Sequence, residues 1–129
     1  MNKNIIILFI FGLFLHTNFS FAVSGYTAEI NNKKKEVVVW SLLGDEKIYT
    51  PTFTKKIIEA KCLEGFLYVF TKNKMLYVYD IAKEKRVLKK KFKHKIIFKR
   101  FDNEALFVQT KDTTCYVFYL SCYLNNLFY

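Results

Sequence analysis

The sequence predicts an all-β fold in which short antiparallel strands form four-stranded meanders. Three observations support this prediction. The 129-residue chain is 52% hydrophobic and 19% aromatic, and its many Tyr, Phe, Ile and Val residues favour strands over helices. Its apolar runs are about five to seven residues long, which suits strands and is too short for most helices. The runs also recur along the chain at a fixed spacing of 39 residues.

The repeat appears in several stretches that share one register without a gap. The matching stretches are 67–72 (LYVFTK) with 106–111 (LFVQTK), 56–58 (KII) with 95–97 (KII), Phe53 with Phe92, and 38–40 (VVW) with 77–79 (YVY) and 116–118 (YVF). Agreement of so many stretches in one register argues against coincidence and indicates a structural repeat.

The middle copy divides into four predicted strands, at residues 57–62, 66–71, 75–81 and 86–92, which are separated by short turns. The second and third strands are apolar at nearly every position, so both of their faces must be covered. The fourth strand carries several lysines, which protect a sheet edge against pairing with other chains. Covered inner strands, a charged outer strand and this repeat length together predict the blades of a β-propeller.

The segment 77–88 (YVYDIAKEKRVL) resembles the blade motif of the PQQ-like, or quinoprotein-type, propellers. In that motif an Asp on the third strand is followed by Thr-Gly-Lys in the turn and by a docking Trp three residues later. The Asp and the Lys are present in this copy, whereas Lys-Glu replaces Thr-Gly and a Leu replaces the Trp. The blade-motif positions are Asp80, Lys85 and Leu88 in this copy, and Ser41 and Tyr49 in the preceding copy.

The same copy is also similar to WD40 repeats. The pair Tyr79-Asp80 looks like a weakened form of the Trp-Asp pair of those repeats, although no Gly-His precedes it. Both resemblances imply a propeller blade, and together they cover residues 36–120.

The resemblance covers only part of a propeller ring. The predicted organisation is a signal peptide at 1–22, a partial propeller at 23–120 and an irregular C-terminal tail at 121–129, with repeat copies at 18–56 (partial), 57–95 and 96–120 (partial). Residues 28–33 have a poor sequence for a strand. About two blades cannot close a ring, which takes about four to eight. The chain is therefore predicted to be a truncated propeller, and assembly from several copies is the alternative.

The N-terminus has the features of an export signal. Lys3 supplies a basic region, residues 5–15 (IIILFIFGLFL) form an unbroken apolar core, and residues 20–22 (SFA) provide small residues for cleavage. As a helix this core would span about 16 Å, well short of a hydrocarbon core of roughly 30 Å. We predict a signal helix that is cleaved after Ala22, with Ser24 as the second candidate. The mature protein would then be periplasmic or secreted, or luminal in a eukaryote, and an uncleaved membrane anchor is the alternative.

The reactive side chains predict neither catalysis nor a metal site. Cys62, Cys115 and Cys122 are odd in number and irregularly spaced, which indicates no disulfide framework and no zinc site and leaves their disulfide state open. His94 lies between two lysines, and the sequence indicates no carboxylate to orient it. The chain is therefore predicted not to be an enzyme and to bind no cofactor or small-molecule substrate.

A basic run is the main charge feature of the chain. The formal net charge is +10, and residues 83–100 contain ten Lys or Arg against a single Glu. Such a run either protects a sheet edge or binds an anionic surface or an acidic partner. Nucleic acid is not expected as a partner of an exported protein. The predicted patch consists of Lys89, Lys90, Lys91, Lys93 and Lys95.

These features predict a non-catalytic, exported propeller fragment that binds proteins. Its resemblance to the periplasmic propeller that assists outer-membrane protein assembly implies a role in envelope or membrane-protein assembly, although no lipoprotein Cys follows the cleavage site. Two alternatives stay open. One is a fragment of a quinoprotein dehydrogenase, and the other is a small basic secreted protein that binds anionic surfaces. Oligomers are expected if the chain is not truncated.

Overall fold

The computed structural model describes residues 5–10, 25–42, 46–102 and 105–120, and every regular element within them is a β-strand. The strands in these residues are β1 (Ile5–Ile10), β2 (Tyr26–Asn31), β3 (Glu36–Ser41), β4 (Lys47–Tyr49), β5 (Ile57–Leu63), β6 (Phe66–Thr71), β7 (Met75–Asp80), β8 (Lys85–Lys91), β9 (Ile96–Phe101), β10 (Ala105–Thr110) and β11 (Cys115–Leu120). The predicted all-β fold of antiparallel meanders is confirmed.

The strands form three sheets. The first sheet has the order β2-β3-β4, the second β5-β6-β7-β8, and the third β1-β11-β10-β9. Within the described residues, neighbouring strands run antiparallel apart from β1 and β11, which run parallel. The first and second sheets belong to one compact unit, His16–Lys91, and the third sheet belongs to another, formed by Met1–Leu15 and Phe92–Tyr129.

The 39-residue repeat of the sequence is also a repeat of the structure. A shift of 39 residues places β3 on β7 and β6 on β10, with identical bounds. The turn before each of the strands β3, β7 and β11 contains a residue with left-handed backbone, at Lys35 (φ 50°), Lys74 (φ 65°) and Thr113 (φ 70°), again 39 positions apart. The repeat therefore preserves the backbone of this turn even where its side chains change.

Strands β5 and β6 are joined by a tight turn. Its two central residues, Glu64 and Gly65, have φ values of 51° and 82°, which is the pattern of a type I′ turn, whose twist matches that of the flanking strands. Glycine adopts this backbone region without a steric penalty. The turn fixes Leu63 opposite Phe66 and so sets the register of the hairpin.

Burial within the second sheet follows the predicted blade. All six residues of β6 are buried, and so are five of the six in β7, as expected for strands that are apolar along their whole length. Strand β8 lies at the edge of the sheet, has no buried residue and exposes most of its charged side chains. The sheet therefore changes from an apolar interior to a cationic edge across two neighbouring strands.

The first sheet packs on the second through a shared apolar core. Val37 and Val39 on β3 belong to one buried cluster with Leu67, Val69 and Tyr79 of the second sheet. Both valines are fully buried. The first sheet therefore covers apolar side chains that a single layer of strands would leave in water.

Two further contacts join the first sheet to the second. Phe53, which follows β4, packs against Tyr77 and Tyr79 on β7, with ring centroids 5.1 Å and 6.0 Å apart. Asn32, in the turn after β2, accepts a hydrogen bond from Ile57 N at 2.8 Å and donates one to Ile57 O at 3.0 Å. The Asn32 side chain thus satisfies both backbone polar groups at the first residue of β5, as a neighbouring strand would.

Phe92 repeats the Phe53 contact in the other compact unit. It lies 39 positions after Phe53, is fully buried and packs against Tyr116 and Phe118, with ring centroids 4.9 Å and 6.3 Å apart. Aromatic pairs at such separations stabilise a fold beyond the area that they bury. The Phe that follows each outer strand is therefore part of the repeat.

Two expectations near the N-terminus are wrong. Residues 5–10 form strand β1 instead of a signal helix, because Ile and Phe suit a strand once a partner such as β11 is available. Residues 28–33 overlap strand β2, which its six-residue pairing with β3 stabilises. The predicted cleavage site at Ala22 and the tail at 121–129 lie outside the described residues. Within the residues that the structure describes, no helix is long and apolar enough to cross a membrane.

Phe92→Ala should destabilise the protein strongly. The substitution leaves a cavity beside Tyr116 and Phe118, so we expect the free energy of unfolding to fall by about 3 to 5 kcal/mol, as measured by urea denaturation. Phe98→Ala is the matched control, because the Phe98 ring is 50% exposed. An equal loss in the two variants would contradict the packing assigned to Phe92.

Candidate binding surfaces

The predicted lysine patch divides between strand β8 and the turn that follows it. Lys89 and Lys91 are exposed on β8, and Lys90 between them is half-buried. Lys93 and Lys95 are exposed in the turn before β9, which belongs to the other compact unit. The structure therefore gathers only three of the five lysines on one element. We use the name outer-strand patch for the exposed cations of β8, which are Lys85, Arg86, Lys89 and Lys91.

The position of the outer-strand patch is compatible with both roles predicted for it. Strand β8 has a neighbour on one side only, so its lysines oppose pairing with a strand of another chain. The same row of cations attracts anions over roughly 8 Å at physiological ionic strength. The geometry of the outer-strand patch therefore fits both roles, protection of the sheet edge and binding of anions.

The blade-motif residues of the second sheet surround the turn between β7 and β8. Asp80 ends β7 and is buried, and its Oδ1 accepts a hydrogen bond from Lys83 N at 3.3 Å. Lys85 begins β8 opposite Asp80, and the half-buried Leu88 lies opposite Val78. Asp80 therefore stabilises a turn, which is the role expected of an Asp that hydrogen-bonds to nearby backbone.

The equivalent residues of the first sheet are also structural. The backbone N–H of Ser41, at the end of β3, donates to Glu46 O at 2.9 Å. The ring of Tyr49 on β4 meets that of Tyr79 edge to face, with centroids 5.8 Å apart. Burial, and then the charge of Glu84, raises the pKa of Tyr49, and burial raises the pKa of Tyr79 to about 12. Both phenols are therefore neutral at physiological pH and contribute packing.

The first strands of the second and third sheets expose apolar side chains that the sequence analysis missed. Ile58 on β5 is 56% exposed, and Ile97 and Phe98 on β9 are 55% and 50% exposed. An exposed cation follows on each strand, Lys61 on β5 and Arg100 on β9. We use the name first-strand surfaces for these two sets, one in each compact unit.

A signal for these surfaces was present in the sequence. Ile58 and Ile97 occupy equivalent positions of the repeat, and each is the second of two adjacent isoleucines. In the structure each second isoleucine is the extra residue of a β-bulge: Ile57 and Glu59 pair with consecutive residues of β6, and Ile96 and Phe98 pair with consecutive residues of β10. The duplicated Ile-Ile pair therefore marks a repeated bulge whose extra isoleucine is exposed.

The turn between β10 and β11 holds a hydrogen-bond network around Asp112. Thr110 Oγ1 donates to Asp112 Oδ1 at 2.5 Å, and Thr114 Oγ1 donates to Oδ2 at 2.9 Å. His94 Nε2 lies 3.5 Å from the same Oδ2. The expectation that no carboxylate orients His94 is therefore wrong, because the turn brings a residue that is distant in sequence beside the imidazole.

Hydrogen bonding controls the ionisation of this carboxylate. The hydrogen bond from Thr110, followed by those from Thr114 and by the charge of His94, holds the pKa of Asp112 below its usual value. In the second sheet, Thr71 Oγ1 donates in the same way to Asn73 Oδ1 at 2.5 Å, 39 positions earlier. The network is therefore a repeated turn to which the third sheet adds the contact between Asp112 and His94.

The cysteines of the described residues are neither paired with each other nor part of a metal cluster. Cys62 and Cys115 are free, half-buried thiols, and burial raises the pKa of Cys62 to about 11, which leaves it protonated. Cys122 lies outside the described residues. No group of three His, Cys, Asp or Glu side chains in the described part converges on a possible metal position. A pocket of about 250 Å³ beside Cys62 is below the roughly 300 Å³ at which ligand sites begin.

The chain resembles WD40 β-propeller domains of known structure. The crystal structure of HIRA(644-1017) matches it with a TM-score of 0.60 and 14% sequence identity over 73% of this chain. The WD40 domain of Toxoplasma gondii coronin matches with a TM-score of 0.53 and 20% identity over 67% of the chain. No protein-family model and no curated protein matches the sequence.

The similarity concerns the fold and covers only part of each of these proteins. The matched region spans 33% of the HIRA chain and 26% of the coronin chain. The described sheets therefore correspond to some of the blades of a β-propeller. These similarities confirm the predicted resemblance to β-propellers. They do not support the predicted resemblance to quinoprotein-type propellers or to the propeller that assists outer-membrane protein assembly.

Asp112→Asn should destabilise the protein at neutral pH and have almost no effect in acid. The folded pKa of Asp112 lies below the usual value of 3.8. The stability that its charge contributes is therefore present above pH 3.8 and is lost as the pH falls through the folded pKa. An Asn retains the bond from Thr110, as Asn73 does with Thr71, so the substitution removes mainly the effect of charge.

Thermal unfolding at pH 7 and near pH 3 measures this difference. Asp102→Asn is the control, because Asp102 is an exposed carboxylate 4.0 Å from Arg100, where an ion pair contributes little. A destabilisation by Asp112→Asn that stays constant or grows in acid would show that the carboxylate charge has no favourable partner.

Proposed function

We propose that this chain is a non-catalytic, exported, protein-binding segment of a WD40-like propeller that supports envelope or membrane-protein assembly. The observation that carries the proposal is the pair of first-strand surfaces. Ile58 and Ile97 are more than half exposed at equivalent positions of two different sheets. Exposed apolar surface with a charged rim is typical of sites where another protein binds, and the exposed cations Lys61 and Arg100 lie three positions after Ile58 and Ile97 on the same strands.

The chemistry of the first-strand surfaces defines the kind of partner. An apolar side chain of the partner would cover Ile58 or Ile97, and an acidic group would meet the neighbouring cation. The guanidinium of Arg100 also lies over the Phe107 ring, 4.9 Å from its centroid, which holds it beside the apolar surface. A protein segment with alternating apolar and acidic residues fits this arrangement.

Site-specific crosslinking tests the binding role. A photoreactive amino acid at position 58 or 97 of the full chain, expressed in its own cells, should form one defined adduct at each position. The exposed residue Lys33, in the β2–β3 turn, is the control position. The adducts at 58 and 97 should be lost when Lys61→Glu or Arg100→Glu is added on the same strand. The proposal would be contradicted if position 33 formed adducts in the same yield as positions 58 and 97. It would also be contradicted if the charge reversals left the adducts at 58 and 97 unchanged.

Export is supported by the N-terminal sequence and by the exposure of the first three side chains of β1. Ile5, Ile6 and Ile7 are 66%, 40% and 52% exposed. Their removal would therefore take little buried apolar surface from the third sheet. A basic residue, an apolar core and small residues near Ala22 are what a signal peptidase requires.

Cleavage of the signal is a direct test of export. The full chain with a C-terminal tag should yield a mature protein that begins at Val23, as read by mass spectrometry of its N-terminus. Ala22→Leu should block this cleavage or move it to Ser24, because the enzyme accepts only small residues at that position. Recovery of the tagged protein with Lys3 still present, in the cytosol, would contradict export.

Binding to anionic surfaces is the second candidate function, and the exposed outer-strand patch is the observation that favours it. The quinoprotein alternative has no such support, since the similar structures are WD40 domains. The anionic partner would be a membrane surface, because an exported protein meets anionic headgroups and seldom meets nucleic acid. Attraction of this kind weakens as salt is added.

Lys89→Gln combined with Lys91→Gln should weaken binding to phosphatidylserine vesicles about 30-fold at low salt, because each lysine near an anionic surface contributes about 1 kcal/mol. Vesicle sedimentation measures the change. Lys33→Gln combined with Lys34→Gln is the matched control, since it removes the same charge from the exposed β2–β3 turn. Equal loss in both double variants would mean that net charge, and not the patch, drives binding.

A further inference from the structure

The first residue of β9 directs its backbone polar groups to the edge of the third sheet. Strand β9 has one neighbour in this sheet, β10. Lys95 O accepts a hydrogen bond from Lys111 N at 2.8 Å, and the next residue, Ile96, pairs with Thr110. Residues along an antiparallel strand direct their N–H and C=O alternately toward and away from the neighbouring strand. The N–H and C=O of Ile96 therefore face away from β10.

Ile57, which lies 39 positions before Ile96, shows which group fits such an edge. Lys56 O accepts a hydrogen bond from Lys72 N at 2.9 Å, so the N–H and C=O of Ile57 face away from β6 in the same way. The Asn32 carboxamide binds both of these groups. Ile57 N donates to Asn32 Oδ1 at 2.8 Å, and Asn32 Nδ2 donates to Ile57 O at 3.0 Å. One side-chain carboxamide thus fills this edge position in the second sheet.

The edge position at Ile96 is left open. Within the described residues of its compact unit, the structure gives the N–H and C=O of Ile96 no hydrogen-bond partner outside the pairing of β9 with β10. The side chains differ in the same sense, because Ile96 is half-buried whereas Ile57 is 2% exposed. A donor and an acceptor that Asn32 satisfies in the second sheet are therefore available to a ligand in the third.

A β-bulge limits how a ligand can use this edge. Ile97 is the extra residue of the bulge, because Ile96 and Phe98 pair with consecutive residues of β10. A bulge at an edge bends the strand and opposes continuous pairing with a further strand. A side-chain carboxamide needs only the two groups of Ile96. Ile97 and Phe98, which are 55% and 50% exposed, supply apolar surface directly beside them.

We propose that the backbone N–H and C=O of Ile96 form a binding site for the carboxamide of an Asn side chain on the partner protein. A carboxamide donates to the C=O and accepts from the N–H, whereas a carboxylate only accepts. The inference rests on the proposed function, since it names the polar contact that the same partner makes at the first-strand surface of the third sheet. In the second sheet the equivalent position is already filled by Asn32.

Crosslinking with a photoreactive amino acid at position 97 of the full chain tests the role of the Ile96 N–H. Ile96→Pro removes this N–H, and an edge strand tolerates Pro where the N–H faces outward. Ile96→Val is the matched control, because it keeps the N–H. Ile96→Pro should lower the adduct yield at position 97 about fivefold, the effect of one hydrogen bond. The adduct at position 58 should be unchanged, which also reports that the protein is folded.

Hydrogen exchange detects the proposed contact directly. The probe is a synthetic peptide with the sequence of the partner segment that mass spectrometry finds in the adduct at position 97. This peptide should slow exchange of the Ile96 amide in the full chain, as measured by NMR. The same peptide with its Asn replaced by Asp should give no protection, because a carboxylate cannot donate to Ile96 O.

The outcomes separate this inference from the proposed function. Absence of any adduct at position 97 in the chain without Ile96→Pro would overturn both. An adduct at 97 whose yield is the same with Ile96→Pro and Ile96→Val would overturn the carboxamide site alone, and so would a partner segment without Asn. If Ile96→Pro unfolds the protein, exchange of the Ile96 amide decides the question, and equal protection by the Asn and Asp peptides would overturn the site.

Discussion

The need to cover both faces of the inner strands is the constraint on which the rest of the fold depends. Strand β6 is buried at every position, yet one meander is a single layer and cannot shield both of its own faces. The first sheet covers one of these faces for the second sheet, through Val37 and Val39 in the shared core and through the ring of Phe53. A blade of this sequence is therefore stable only beside another blade, which explains why the chain repeats.

The same constraint decides which surfaces remain for binding. Packing between sheets covers the inner strands and leaves the first strand of each meander, and the last strand of the first two, at a sheet edge. The last strand of the second sheet is protected by charge, as in the outer-strand patch. The first strands instead expose Ile58 and Ile97 beside a cation. The proposed partner site is thus found where the fold leaves apolar surface without protection.

Much of the fold could be predicted from the sequence because the repeat makes each strand visible several times. The apolar runs predicted β6 and β7, and the lysines predicted the edge position of β8. The sequence could not show that Asp112 reaches His94, since that contact depends on how a turn approaches a loop from elsewhere in the chain. It also could not show that residues 5–10 pair with β11, because an unbroken apolar run is equally suitable for a helix or for a strand that has a partner.

Native-state hydrogen exchange tests most directly whether the first two sheets stabilise each other. The backbone amides of Val39 on β3 and Val69 on β6 should exchange with the same free energy of opening, because neither sheet keeps its core covered alone. Phe53→Ala should lower both values by the same amount. The contrary result would be a lower free energy of opening for the Val39 amide than for the Val69 amide, with the Val69 value unchanged by Phe53→Ala. The second sheet would then be stable without the first, which contradicts mutual stabilisation of the two sheets.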